Sequence, residues 1–344
     1  FRRVLFRSIQ IPTDPTTWRI FEYTFKDVSL DECVVTIECD KSFNIHLISG
    51  KLIDSLNIDV SCEKMKNYPP LLHGQLLNEA RDISVEYDTD NSKVKVHIFK
   101  KEKKEWVLCI IKPSESDNMI DPNSAFILAD IILKEGSATE QGIGLARNYL
   151  TYCFQVNFPM ALFQQAIELL NSGDVQHGLQ VLSMLIQDYS YPSAYFLFGA
   201  HMIGLQDNES VDQGIELLKK AAELGSYKAN LLLGKVYSPF DPSKYPQKDA
   251  KLSLSYFEKS TTPENPSMDA LFEMARIYKK GFDNVPKDDE KAESLYEQAK
   301  HFDIDNTLPK LEENNSKSKI LGGIISVGAL AVFGAAVYLH FKNL

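Results

Sequence analysis

The spacing of apolar residues changes twice along this chain. Up to about residue 113 they come in short runs that alternate with polar residues and are broken by turn formers. Alternation of period two predicts strands over residues 33–38 (CVVTIE), 43–48, 58–60, 83–87, 93–99 (KVKVHIF) and 106–111 (WVLCII). In KVKVHIF, Val94, Val96 and Ile98 share one face and Lys93, Lys95 and His97 the other, the pattern of a half-buried strand in an antiparallel sheet. From residue 121 the spacing becomes helical, and no strand-like run interrupts it. The last segment, 320–339 (ILGGIISVGALAVFGAAVYL), has no charge at all. Twenty such residues rising about 1.5 Å each match a hydrocarbon core of about 30 Å.

The helical part repeats. AYFLFG from Ala194, ANLLLG from Ala229 and ALFEMA from Ala270 occupy equivalent places, 35 and then 41 residues apart, and each is followed by a second apolar-periodic run. Small residues at such places let two antiparallel helices approach closely, so each unit reads as a helical hairpin. Two looser hairpins precede them, 124–154 and 161–186. Five hairpins predict a solenoid with a groove for a protein partner. The stretch 238–247 (SPFDPSKYPQ) lengthens one loop and reads as a contact site or a tolerated insertion.

The phrases LLLGKVY, LKKAAELGS and MARIYKKGF make residues 193–302 resemble Sel1-like repeats, relatives of the tetratricopeptide repeat. The strand-rich part, with PPLLHGQL before a strand, then DNSKVKVHIFKK and a Trp-bearing final strand, resembles the CS (Hsp20-like) domain, a sandwich that binds chaperones or clients through exposed sheet surface. The expected architecture is a multidomain α+β chain: a leader or non-native segment 1–16, an antiparallel β-sandwich 17–113, an all-α Sel1/tetratricopeptide-like array 121–304, a linker 305–319, a transmembrane tail anchor 320–339 and a short tail 340–344. Leu76 and Trp106 read as sandwich core. Lys100, Lys101, Lys103 and Lys104 read as a basic turn, solvated or meeting lipid phosphate.

Within the span, Ile320 and Leu339 mark the ends, and Gly322, Gly323, Ser326, Gly328, Ala331, Gly334 and Ala335 supply small residues for close helix contact. Lys317, Lys319 and Lys342 flank it and favour anionic headgroups. Such an anchor leaves the large N-terminal part facing the cytosol.

Of 344 residues 44% are hydrophobic and 24% charged, and the net charge is −10. Residues 160–316 hold 24 acids against 15 bases, which argues against nucleic acid and suits either basic targeting segments or plain solubility. Five cysteines without a CxxC pair point to a reduced compartment and no zinc site. Phosphate-loop, HExxH and GxSxG signatures are missing. Gly142 and Gly144 with Arg147 fail the last glycine of a dinucleotide fingerprint, and His177, His201 and His301 are scattered. No catalytic residue, cofactor or metal is expected.

At the repeat openings stand Tyr195, Phe196, Asn230, Leu231, Leu271 and Phe272. They depart from the Lys/Asn clamp with which tetratricopeptide domains hold the ends of Hsp70 and Hsp90, so a groove for apolar or amphipathic segments is expected instead. The order of parts resembles the receptor subunits of the outer-membrane preprotein translocase in hydrogenosomes, relatives of mitochondria. That resemblance implies capture of preproteins, with Hsp70 or Hsp90 as accompanying partners, and transfer to a β-barrel channel with small anchored subunits. The alternatives are a membrane-tethered co-chaperone for Hsp90 or Hsp70 and a quality-control scaffold.

Overall fold

The computed structural model describes residues 22–39, 43–62, 69–134, 139–243, 246–262, 266–303 and 308–311. The span 320–339 and its lysines 317, 319 and 342 lie outside them, as do residues 1–16. Among the described residues no helix is long and apolar enough to cross a membrane. The chain divides into two units, one ending at Leu162 and the other beginning at Phe163.

The first unit holds two four-stranded antiparallel sheets. One orders β1 (Tyr23–Ser29), β2 (Glu32–Glu38), β7 (Lys93–Lys100) and β6 (Ala80–Asp88) as β1-β2-β7-β6. The other runs β3 (Ile48–Leu52), β4 (Asn57–Cys62), β5 (Leu72–Leu76), β8 (Ile110–Lys112). Register follows from alternation: Cys33, Val35 and Ile37 of β2 stand opposite Ile98, Val96 and Val94 of β7, all six fully buried. On the outer face β7 is joined to β2 by Lys93 on Glu38 (2.6 Å) and His97 on Glu32 (2.6 Å), and to β6 by Lys95 on Glu86 (2.7 Å).

Several local expectations are corrected. Residues 43–48 do not form a strand. The Asn44 side chain accepts from the His46 amide and turns Ile45–Leu47 into a 3-10 helix, and β3 starts only at Ile48. Of 106–111 only the end pairs, as β8. Trp106 packs from a loop because its amide donates to Asp27 Oδ2 (3.0 Å), and it is 2% exposed; Leu76 is fully buried, as expected for core. β1 and β5 were not among the expected strands. Lys100 is not part of a solvated turn: its side chain is fully buried, bonded to Asp27, to the carbonyls of Ser29 (2.8 Å) and Lys104 (2.7 Å), and set against the Trp106 ring. Lys101, Lys103 and Lys104 do stay exposed, paired with Glu79, Asp31 and Glu102.

α1 (Pro122–Lys134) and α2 (Glu140–Gln155), which the periodicity places in the helical array, share one core with the sheets: Ala125, Phe126, Ala129, Tyr149 and Cys153 pack with Leu72, Ile98 and Trp106. A polar joint ties α1 to β5. Asp121 Oδ2 accepts from the His73 amide (3.0 Å) and from Ser124 Oγ (2.6 Å), Oδ1 caps the helix at the Ser124 amide (2.8 Å), and Ser124 Oγ meets the Tyr23 hydroxyl (2.7 Å). The His73 ring bridges Asp59 (3.0 Å) and Asp117 (3.2 Å).

The second unit continues α3 (Pro159–Asn171) and holds α4 (Val175–Tyr189) and three hairpins: α5 (Pro192–Gly204) with α6 (Asn208–Glu223), α7 (Tyr227–Tyr237) with α8 (Ala250–Lys259), and α9 (Met268–Lys280) with α10 (Asp289–His301). Asp207, Ser226, Asp249, Ser267 and Asp288 cap the five helices that follow them, each through a side-chain oxygen. The spaced small residues mark where paired helices touch. A Cβ at Gly214 would lie 2.7 Å from the Gly199 carbonyl oxygen, and one at Gly234 would lie 2.5 Å from the Phe257 ring.

Candidate interaction surface

Aligning the hairpins on Ala194, Ala229 and Ala270 brings three sets of first-helix positions into equivalence: Ser193, Lys228 and Asp269; Phe196, Leu231 and Phe272; Ala200, Lys235 and Arg276. Within each first helix the three positions (193, 196 and 200; 228, 231 and 235; 269, 272 and 276) follow i, i+3, i+7 spacing and so share one face. The faces of the second and third hairpins are joined, because Lys235 Nζ of α7 reaches Asp269 Oδ2 of α9 at 2.7 Å. The second helices of the first and last hairpins are the ones rich in exposed acids, while α8 has only Glu258 and the first helix α9 carries Asp269 and Glu273. Glu209, Asp212, Glu216 and Glu223 on α6 and Asp289, Glu290, Glu293 and Glu297 on α10 are exposed, whereas α5 and α7 contain no acidic residue.

At the last repeat the chain covers this row itself. Arg276 donates from Nη1 to both Glu273 oxygens (2.9 Å), and both side chains are buried. Burial pushes the Glu273 carboxyl above its ordinary range, against the pull of Arg276. Phe240, from the segment between α7 and α8, lies over the Arg276 guanidinium at 3.9 Å and meets Phe282 edge-on. That segment is pinned: Lys248 Nζ donates to the Val236 carbonyl (2.8 Å), Asp241 (2.5 Å) and Ser243 Oγ (3.0 Å), and Asn284 donates to Asp249 (2.7 Å). The described residues of the lengthened loop, 238–243 and 246–247, are therefore part of the packed array. Residues 308–311, expected in a linker, also pack here: Leu308 and Leu311 join the α8–α10 core, and the Tyr296 hydroxyl donates to the Pro309 carbonyl (3.0 Å).

Of the six groove residues expected from sequence, four are hairpin core. Phe196 packs with Ile203, Leu218 and Leu233, Leu271 and Phe272 pack with Phe257 and Met274, and Asn230 is buried with its amide directed at the Ser226 carbonyl (3.4 Å). Tyr195 and Leu231 are half-buried. Only Phe196, Leu231 and Phe272 belong to the row of equivalent positions. Sequence reasoning missed Lys228, Lys235, Asp269 and Arg276, although the same repeat alignment, read at every position, holds the signal.

A family model described as "Sel1 repeat" matches residues 192–226 and 269–300. No curated protein matches. Among solved structures, a Sel1 repeat protein from Oxalobacter formigenes is 21% identical over 53% of this chain and 73% of its own, with a TM-score of 0.43. The CS-b5R domains of human Ncb5or are 18% identical over 30% of this chain and 28% of theirs, TM-score 0.25. The nuclear movement protein from E. cuniculi GB-M1 is 18% identical over 26% of this chain and 99% of its own, TM-score 0.21. The two stretches that match the repeat model are α5 with α6 and α9 with α10, and the helical array is Sel1-like.

Proposed function

We propose that this chain is a protein-binding receptor whose Sel1-like array captures segments of other proteins. The observation that carries the reading is the row of equivalent first-helix positions, joined between the second and third hairpins by Lys235 and Asp269, since Sel1 repeats act as protein-interaction scaffolds. The finer reading is an import receptor of an organellar outer membrane. It rests on the uncharged run 320–339 with its lysine flanks, on the order of parts, and on the exposed Glu209 of α6 and Glu290 and Glu293 of α10, which form no ion pair among the described residues and attract basic client segments within a Debye length of about 8–10 Å. In this reading the apolar side chains of a client rest on the row, and weak, reversible capture lets the client pass to a β-barrel channel. The competing reading is a tethered co-chaperone for Hsp90 or Hsp70.

Photo-crosslinkers placed at Ser193 and Leu231, with Lys112 of the sandwich as control, test this. Incubation of the full chain with a labelled organellar precursor is expected to give adducts at the two array positions. Adducts no stronger there than at Lys112, or adducts to chaperones alone, would overturn the receptor reading.

A further inference from the structure

Comparison of the two inter-repeat junctions singles out one residue. Between the second and third hairpins, the last member of one triplet meets the first member of the next, Lys235 on Asp269. The equivalent members between the first and second hairpins are Ala200 and Lys228. In the repeat alignment the cation of this junction stands at the first position of the second hairpin, Lys228, and the position aligned with Lys235 is an alanine, Ala200, in place of a charged side chain. Lys228 is half-buried and has no carboxylate within ion-pair distance among the described residues; its Nζ lies 5.8 Å from the centroid of the neighbouring Tyr227 ring. Burial alone lowers its pKa, with no acid opposing the shift. The other two cations of the row, Lys235 and Arg276, are paired. Half-burial of an uncompensated cation is costly, and Leu231, one turn along the same face, is half-buried beside it.

We propose that this junction is a docking site for a protein segment that carries a single Asp or Glu beside an apolar residue, the carboxylate pairing with Lys228 and the apolar side chain resting on Leu231. The proposal deepens the protein-binding reading and rests on it. It commits to an internal side-chain carboxylate because the charge on offer is one cation beside an apolar position. The remaining charges of the row are already neutralised, so an acidic run finds nothing further to bind.

The test uses the full chain in detergent micelles and a fluorescein-labelled peptide with one Glu between leucines and lysines at its ends, against its Gln counterpart. Anisotropy is expected to show the Glu peptide binding about tenfold tighter than the Gln peptide, with the difference shrinking as salt rises. Lys228→Gln removes the difference and Lys228→Arg keeps it. Ala200→Glu supplies the carboxylate from within: it raises the melting midpoint of the array and drops the Glu peptide to the level of the Gln peptide. Equal binding of the two peptides to the natural chain, or a preference that survives Lys228→Gln, overturns this site and leaves the scaffold reading standing. Binding of neither peptide, together with missing array crosslinks, defeats both. Displacement of the Glu peptide by low millimolar inorganic phosphate makes the junction a free-anion site and also overturns the proposal.

Discussion

The joint at Asp121 gives the first unit an unusual dependence on pH. The carboxyl is fully buried, and burial pushes it up to about 6 from an ordinary 3.8, outweighing its hydrogen bonds from the His73 amide and from Ser124. Such a rise is a differential interaction of about 3 kcal/mol. Between pH 3.8 and 6 the folded chain holds the proton more firmly than the unfolded chain, so stability is full below 3.8 and is lost as pH rises through 6. Protonated Asp121 still satisfies the joint, donating to Ser124 Oγ while accepting from the His73 amide.

His73 acts in the same direction at higher pH. Burial lowers its pKa, but the hydrogen bonds to Asp59 and Asp117 more than reverse this, and the net shift is upward. Its contribution is present below 6.5 and fades as pH passes its folded value. Asp59, held low first by its hydrogen bond to His73, has the opposite sign but acts below pH 3.8. The assay is urea unfolding followed by Trp106 fluorescence in a Trp18→Phe background, from pH 4 to pH 7. Unfolding free energy is expected to fall by about 3 kcal/mol across that range, and Asp121→Asn is expected to remove the slope between pH 4 and 6. A natural chain whose stability is flat or rises from pH 4 to 7, or an Asn variant with an unchanged slope, would rule out Asp121 as the source of the pH dependence.

Three further outcomes follow from packing. Gly214→Ala drives a Cβ against the backbone of Gly199 and Ile203 and is expected to cost about 2 kcal/mol despite better helix propensity, read as faster amide exchange in α5 and α6. Phe240→Ala uncovers Arg276 and is expected to destabilise α9 by about 2 kcal/mol, seen as local loss of exchange protection without global unfolding. Lys100→Met leaves Asp27 facing the core without its cation and is expected to cost about 3 kcal/mol in the Trp106 denaturation assay.

Periodicity carried much of this fold. KVKVHIF was readable because one face had to be buried, and the hairpins were readable because Gly199, Gly214 and Gly234 sit where any larger residue would collide. What escaped was set by tertiary context. β1 alternates weakly, since Asp27 points inward to hold Lys100 and the Trp106 amide. β5 breaks the pattern because His73 is buried by ionic partners and Gly74 adopts φ 146° against β8. A run of lysines gives no sign that its first member is sealed inside. Nor does a loop sequence show that Phe240 will seat on an arginine 36 residues later. Of the groove positions read from sequence, Phe196, Asn230, Leu271 and Phe272 are buried in the hairpins, and Tyr195 and Leu231 are half-buried. Lys228 stands out only when one inter-repeat junction is compared with the next.

A receptor for client proteins at an organellar membrane, as proposed, would sit in one assembly with its channel, and isolation of that assembly is the decisive experiment. The chain, tagged at its N-terminus, would be drawn from mild-detergent membranes and its companions identified. A β-barrel channel with small anchored subunits is the expected result. Chaperones alone, with the channel never present, would contradict the account and leave a tethered co-chaperone in its place.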